Sequence, residues 1–62
     1  MTLTLRQARR LREKTQAEMA EFLNISLSTY VKLEEKPDEA TIKQAKKISE
    51  YLEVPYDEIF FS

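Results

Sequence analysis

Helix-start signals divide this chain into segments more sharply than any other feature of its sequence. Thr4, Thr15 and Thr41 are each followed three residues later by Gln or Glu. This is the pattern of a capping box, in which the Thr side chain and the Gln or Glu side chain each bond the other residue's backbone N–H. Ser26, ahead of Leu27, is a simpler N-cap candidate. The 62 residues include no Gly and only two Pro, so the segments between these signals favour helix.

These signals predict a single all-α domain that spans residues 1–62 and contains five helices. No stretch alternates steadily between apolar and polar residues, so no sheet is expected. The predicted helices run over 5–13, 16–23, 27–35, 42–52 and 56–61. Apolar residues at helical spacing give each helix an inward face. The predicted inward residues are Leu5, Ala8, Leu11, Met19, Ala20, Leu23, Tyr30, Leu33, Ile42, Ala45, Ile48, Leu52, Ile59 and Phe60.

Composition and size exclude several classes of function. The sequence has no Cys and no His, which excludes disulfides, thiolate metal sites and histidine-dependent nucleophilic catalysis. A chain of this length buries only about 60% of its unfolded surface, which suits a binding module better than an enzyme with a deep pocket. We therefore expect no enzymatic activity, no cofactor, no metal and no small-molecule substrate. No apolar run is long enough for a bilayer and no signal-peptide pattern is present, so we expect a cytoplasmic protein without a membrane partner.

Charge is arranged in blocks along the chain. The net charge is −1, from 10 basic and 11 acidic residues, which argues against purely electrostatic binding to nucleic acid. Basic residues predominate in 1–14 and 36–47, and acidic residues predominate in 15–35 and 48–62. Such blocks either form a basic and an acidic face on a small body or are simply the solvated faces of helices.

The most specific signal lies in residues 16–35. Two predicted helices are separated by a tight turn at residues 24–26, and the small residue Ala20 lies where two crossing helices must approach closely. The turn is too short for the helices to be antiparallel neighbours. The pattern is therefore that of a helix-turn-helix.

From about residue 5 to residue 60 the sequence resembles the phage repressor and Cro type of helix-turn-helix, the XRE-like transcription regulators. The resemblance lies in TQAEMAEFLNISLSTYVKLE at 15–34 and in LEVPYDEI at 52–59. It implies a five-helix, lambda-repressor-like fold and a sequence-specific DNA-binding regulator. Because one module of this size buries too little surface for useful specificity, a homodimer on a palindromic operator is expected. The resemblance also implies that helix 27–35 enters the major groove of double-stranded DNA.

The resemblance assigns roles to individual side chains. The outward residues that would face base edges are Leu27, Ser28, Val31 and Lys32. Gln16 matches the Gln with which the family braces a phosphate at the start of its second helix. The further phosphate candidates are Ser26, Thr29, Lys36, Arg10 and Lys14.

Two further expectations concern structure and assembly. Arg9 and Glu34 match an ion pair that the family uses to orient the third helix, and Arg12 would take the place of Arg9 if the end of the first helix were shifted. Excess apolar residues near the end of the sequence suggest a dimer surface. Its candidate residues are Tyr56, Phe60 and Phe61.

The sequence departs from the family at three places, and these departures support an alternative function. The loop at 35–39 is acidic where the family is basic, Asn24 replaces the usual Gly, and Lys14 replaces an apolar residue. The same fold could instead bind a protein, as an anti-repressor or as the partner of another regulator. Phe22 lies where the family is polar; exposed, it would mark a protein interface, whereas packed under the first or fourth helix it would be structural.

Overall fold

The described part of the chain consists of five α-helices and one short 3₁₀ helix, with no strand. A computed structural model describes residues 3–60 and, at residue 60, the backbone only. The bounds are α1 (Leu5–Leu11), α2 (Gln16–Leu23), α3 (Leu27–Glu35), the 3₁₀ helix (Pro37–Glu39), α4 (Ile42–Leu52) and α5 (Tyr56–Phe60). The predicted all-α, five-helix architecture is confirmed. Within residues 3–60, each helix is too short or too polar to cross a membrane.

Local side-chain hydrogen bonds determine where the helices begin. Complete capping boxes at Thr4, Thr15 and Thr41 start α1, α2 and α4. At the start of α3, the Ser26 hydroxyl accepts a hydrogen bond from the Thr29 backbone N–H at 3.2 Å. These side chains bond N–H groups that have no partner inside the helix, which fixes each helix start close to its predicted position.

Three helices end at a residue in the left-handed conformation, although the chain has no Gly. Glu13, Asn24 and Glu53 have φ angles of 55°, 58° and 55°. Asn tolerates this conformation better than most residues because its short polar side chain can bond locally, but Glu has no such advantage. The two Glu residues therefore occupy positions that Gly usually fills.

The first helix is shorter than predicted. It ends at Leu11 rather than at Glu13, because Glu13 itself adopts the left-handed conformation. The Glu13 N–H then donates to the Arg10 carbonyl at 3.0 Å, and the Lys14 N–H donates to the Arg9 carbonyl at 3.1 Å. These backward bonds satisfy the last carbonyls of α1 and turn the chain toward α2.

A single core collects apolar side chains from all five helices. Its largest fully buried members are Tyr30, Leu5, Met19, Ile48 and Leu52. Most predicted inward residues are buried. Besides those five, the buried ones are Ala8, Ala20, Leu23, Leu33, Ala45 and Ile59. The side chain of another predicted inward residue, Phe60, lies outside the described residues.

The predictions for Leu11 and Ile42 were wrong. Leu11 is 61% exposed and Ile42 is 68% exposed. Leu11 is the last residue of α1 and Ile42 is the first residue of α4. At these helix ends no neighbouring element covers the face that the helical spacing predicted to be inward.

Hydrogen bonds join the first part of the chain to α4 and α5. The Arg12 guanidinium donates to the carbonyls of Leu52 and Glu53, at 2.7 and 3.2 Å, and so binds the end of α4. The Leu3 N–H donates to the Glu58 carbonyl at 3.0 Å, which joins the segment before α1 to α5. The Arg12 cation is favourably placed because the C-terminal end of a helix carries partial negative charge.

We predict that Glu53→Gly raises the free energy of unfolding by about 0.5–1 kcal/mol. Gly adopts a positive φ without the steric cost that a Cβ imposes, which outweighs its greater entropy in the unfolded chain. Urea denaturation measures the change. The matched control is Glu50→Gly, which removes the same charge from an exposed position inside α4 and should lower the free energy by about 1 kcal/mol. Changes of the same sign in both variants would contradict the prediction.

Candidate functional site

The unit formed by α2, a short turn and α3 presents one helix on the surface of the domain. The left-handed Asn24 ends α2, and the Ile25 N–H returns to the Ala20 carbonyl at 3.0 Å. Ala20 is buried between the helices and Ile25 is half-buried against the core. The helix-turn-helix predicted at residues 16–35 is therefore present.

One face of α3 packs in the core and the opposite face is open. Tyr30 is fully buried and Leu33 is 6% exposed. Positions 27, 28, 31 and 32 lie together on the other side of the helix. This outer edge of α3 consists of Leu27, Ser28 and Lys32, which are exposed, and Val31, which is half-buried.

Three hydroxyl groups converge at the start of α3. The Ser26 Oγ lies 2.8 Å from the Thr29 Oγ1 and 3.3 Å from the Ser28 Oγ. One predicted base-contacting residue, Ser28, therefore adjoins two predicted phosphate-contacting residues. All three side chains are exposed.

The position of α3 is fixed from beneath by a buried carboxylate. Glu34, whose side chain is inaccessible to solvent, forms an ion pair with the Nε of Arg9 in α1. Its Oε1 also accepts a hydrogen bond from the Gln16 Nε2 in α2 at 3.1 Å and a longer one from the Arg6 Nε at 3.4 Å. The Arg9 guanidinium makes a further bond to the Lys14 carbonyl at 2.8 Å. The Glu34 carboxylate thus joins α1, α2 and α3.

The pairing of Arg9 with Glu34 was predicted from the sequence, but Arg6 as a further donor was not. Arg6 precedes Arg9 by three residues, so the two side chains share one face of α1, and this spacing could have identified it. Arg12, the alternative partner, binds the end of α4 instead.

Burial and hydrogen bonding act in opposite directions on the Glu34 carboxyl. Burial alone would raise its pKa, but the hydrogen bonds from Arg9 and Gln16, together with the nearby Tyr30 hydroxyl, hold the pKa below its usual value. The hydrogen bond to Glu34 in turn raises the pKa of Arg9. Burial, reinforced by Glu34, raises the pKa of Tyr30, whose hydroxyl forms no hydrogen bond of standard geometry with the described residues. Glu34 is therefore ionised and Tyr30 neutral at neutral pH.

The predicted phosphate-contacting residues do not form one cluster. Gln16, Ser26 and Thr29 lie at or next to the starts of α2 and α3. Lys14 is directed elsewhere: its Nζ lies 5.0 Å from the centre of the Tyr51 ring in α4.

Arg10 and Lys36, the other phosphate candidates, lie outside that group. Arg10 is an exposed residue of α1. Lys36 follows the last residue of α3, and its Nζ lies 3.9 Å from the Glu39 Oε2, an exposed ion pair worth less than about 1 kcal/mol.

The acidic residues of 35–39 begin at the C-terminal end of α3. Glu35, Asp38 and Glu39 are all exposed. Glu35 is the last residue of α3 and follows Lys32 by three residues, which corresponds to about 4.5 Å along the helix axis. Leu27, Ser28 and Lys32 remain exposed, so the acidic residues do not bury the outer edge of α3, but the negative charge of Glu35 lies within one turn of Lys32.

Phe22 combines features of both alternatives that the sequence left open. Its ring stacks on Tyr51 of α4, with ring centres 4.1 Å apart and planes inclined by 12°. It nevertheless remains 41% exposed. Tyr51 was not predicted from the sequence, because its contact with Phe22 joins two separate helices and has no local signal.

The predicted dimer surface lies only partly within the described residues. Tyr56 is half-buried at the start of α5. Phe61 and the side chain of Phe60 lie outside the described residues. Residues 3–60 also contain no group of three or more acidic, His or Cys side chains arranged to hold a metal ion.

Comparison with known proteins adds one finding. A family model described as helix-turn-helix matches residues 5–59, a range that includes α1 to α4 and most of α5. Neither a curated protein nor a solved structure matches the chain significantly.

We predict that Glu34→Gln lowers the free energy of unfolding by about 3 kcal/mol at neutral pH, because it leaves Arg9 buried without its counter-charge. The pKa of Glu34 is lower in the folded state than its ordinary value of 4.5. The ionised Glu34 carboxylate therefore stabilises the fold fully above pH 4.5, and this stabilisation is lost as the pH falls through the pKa of the folded state. Urea denaturation from neutral pH to about pH 3 should show the difference between wild type and variant shrinking.

The control for this experiment is Glu35→Gln, which neutralises the exposed neighbour of Glu34. Its stability should follow that of the wild type within about 0.5 kcal/mol at every pH. A Glu34→Gln deficit that stays constant down to the lowest pH would show that the ion pair does not carry the effect.

Proposed function

The chain belongs to the helix-turn-helix family, and on that premise we propose that it is a sequence-specific DNA-binding regulator of transcription. In this proposal α3 inserts into the major groove and α2 crosses the sugar–phosphate backbone. The proposal rests mainly on the outer edge of α3, which is open to solvent while Tyr30 and Leu33 anchor the opposite face. The regulator is proposed to act as a repressor of the Cro-like type in the cytoplasm.

The outer edge of α3 offers side chains suited to reading base edges. Lys32 can donate to the O6 and N7 of a guanine, and Leu27 and Val31 can contact the methyl group of a thymine. Ser28 can bond several bases and so adds little selectivity. The proposed base contacts therefore combine one cation, one hydroxyl and two apolar groups.

Phosphate contacts are proposed for the groups near the starts of α2 and α3. Gln16 uses its amide nitrogen to bond Glu34 at 3.1 Å, and that nitrogen has a second N–H that can donate to a phosphate oxygen. Gln16 also begins α2, and the N-terminal end of a helix carries partial positive charge that favours an anion. Ser26 and Thr29 supply exposed hydroxyls. The proposed charged contacts are Arg10 and Lys36, whereas Lys14 lies over the Tyr51 ring and is not proposed as one.

We propose a homodimer as the functional unit. One module of this size buries too little surface for useful specificity, so two copies on a palindromic operator are expected. The two half-sites would lie about 34 Å apart, one turn of the DNA helix. The segment from Tyr56 to Phe61 is the proposed dimer surface.

We predict that selection from a random pool of double-stranded DNA enriches a palindrome whose half-sites are spaced by about one helical turn. Lys32→Ala should then relax the preference at one base position in each half-site by about 1–3 kcal/mol, because the donor to guanine is lost. Lys47→Ala, which removes an exposed lysine of α4, is the matched control and should keep the full preference. Failure to enrich any sequence would reject the proposal in favour of the protein-binding alternative.

We predict that Lys36→Ala weakens binding to the operator and to scrambled DNA by the same factor. It should also reduce the slope of log K against log salt by about 1, because one phosphate contact is removed. Glu39→Gln removes the carboxylate beside Lys36 and should strengthen binding to both sequences. Titrations over a salt series measure both effects. A loss confined to the operator would contradict the assignment of Lys36 to the backbone.

A further inference from the structure

An open groove between α2 and α4 is not used by the proposed DNA interface. It encloses about 280 Å³ and is lined by Glu18, Glu21, Phe22 and Tyr51. The first three lie at spacings of three and four residues on α2, so they share one face of that helix. No residue of α3 is among those that line it.

The floor of this groove is aromatic and partly open to solvent. Phe22 and Tyr51 stack with their ring centres 4.1 Å apart, and Phe22 is still 41% exposed. The Lys14 Nζ lies 5.0 Å from the centre of the Tyr51 ring. This pair of rings therefore already accommodates one cation from its own chain, by the attraction between a positive charge and an aromatic face.

The rim of the groove is acidic. The Glu18 Oε1 accepts a hydrogen bond from the Thr15 N–H at 2.9 Å. That bond lowers the pKa of Glu18 and keeps it ionised. Glu21 is exposed and forms no ion pair or hydrogen bond through its side chain with the described residues. Lys14 supplies one positive charge near these two carboxylates, so the groove retains one excess negative charge.

We propose that this groove binds an arginine side chain of a partner protein. A guanidinium is planar, stacks on an aromatic ring and pairs with carboxylates through several N–H groups at once. The exposed Phe22 ring and the Glu18 and Glu21 carboxylates provide these two kinds of contact together. The proposal goes beyond DNA binding and does not depend on it.

Other occupants fit the groove less well. A phosphate or a carboxylate would be repelled by Glu18 and Glu21, and an apolar side chain would remove those carboxylates from water without pairing them. A second copy of the chain has few arginines to offer, because Arg6 and Arg9 bond Glu34 and Arg12 bonds the end of α4. Arg10 remains available, so binding of a second copy through its Arg10 is an outcome that the test distinguishes.

The first experiment titrates the full chain with three blocked tripeptides and follows backbone amide shifts by NMR. The probes are acetyl-Ala-Arg-Ala-amide and its analogues with lysine or citrulline in place of arginine. We expect saturable shifts at Glu18, Glu21, Phe22 and Tyr51 with the arginine probe, several-fold weaker binding of lysine, and no saturation with citrulline. Citrulline keeps the planar shape without the charge, so equal binding of citrulline would overturn the proposal.

The second experiment repeats the titration with variants that carry substitutions in the groove. The double variant Glu18→Gln with Glu21→Gln keeps the capping box, because Gln also serves at that position. It should weaken the arginine probe at least tenfold. The matched control, Glu50→Gln with Glu53→Gln, removes the same charge outside the groove and should leave binding unchanged. Equal loss in both double variants would overturn the proposal.

Two further results would reject a partner protein as the source of the arginine. Free L-arginine binding more tightly than the blocked probe would indicate a small-molecule site. Self-association that shifts the groove residues and disappears in Arg10→Ala would indicate a second copy of the chain. DNA affinity of the wild-type chain, measured in parallel, tests the proposed DNA-binding function independently, so a failure of this proposal is separable from a failure of that function.

Discussion

The arrangement of the domain depends on the carboxylate of Glu34, which is buried at the junction of three helices. Glu34 belongs to α3, and its partners Arg9 and Arg6 belong to α1 while Gln16 begins α2. An ion pair of this kind contributes little net stability relative to an apolar core, but each partner is costly to remove singly. Its main consequence here is geometric, because α3 cannot turn or slide without separating the carboxylate from its donors.

The same carboxylate relates the outer edge of α3 to the start of α2. Because Gln16 bonds Glu34 directly, the polar group at the head of α2 has a defined position relative to the residues at the exposed edge of α3. Tyr30 and Leu33 fill the space between that edge and the core. A surface that must fit a rigid partner benefits from this arrangement, since little conformational freedom has to be lost on binding.

Local signals explain why the starts of the helices and the ends of α2, α3 and α4 could be predicted, whereas the end of α1 could not. A capping box involves residues only three apart, so it is fully visible in the sequence. The end of α1 carries no such signal, because Glu13 is not of a type that favours the left-handed conformation. Helical spacing identified the buried face of each helix, but at Ile42 no other element covers that face. The contact between Phe22 and Tyr51 depends on tertiary packing alone.

The hydrogen bond between Leu3 and Glu58 brings the first and last described segments of the chain side by side. Because they adjoin, a short linker could connect them, and the chain could be opened elsewhere without separating the helices that bear the site. The domain is therefore suited to circular permutation, for which neighbouring termini at the surface are the main requirement.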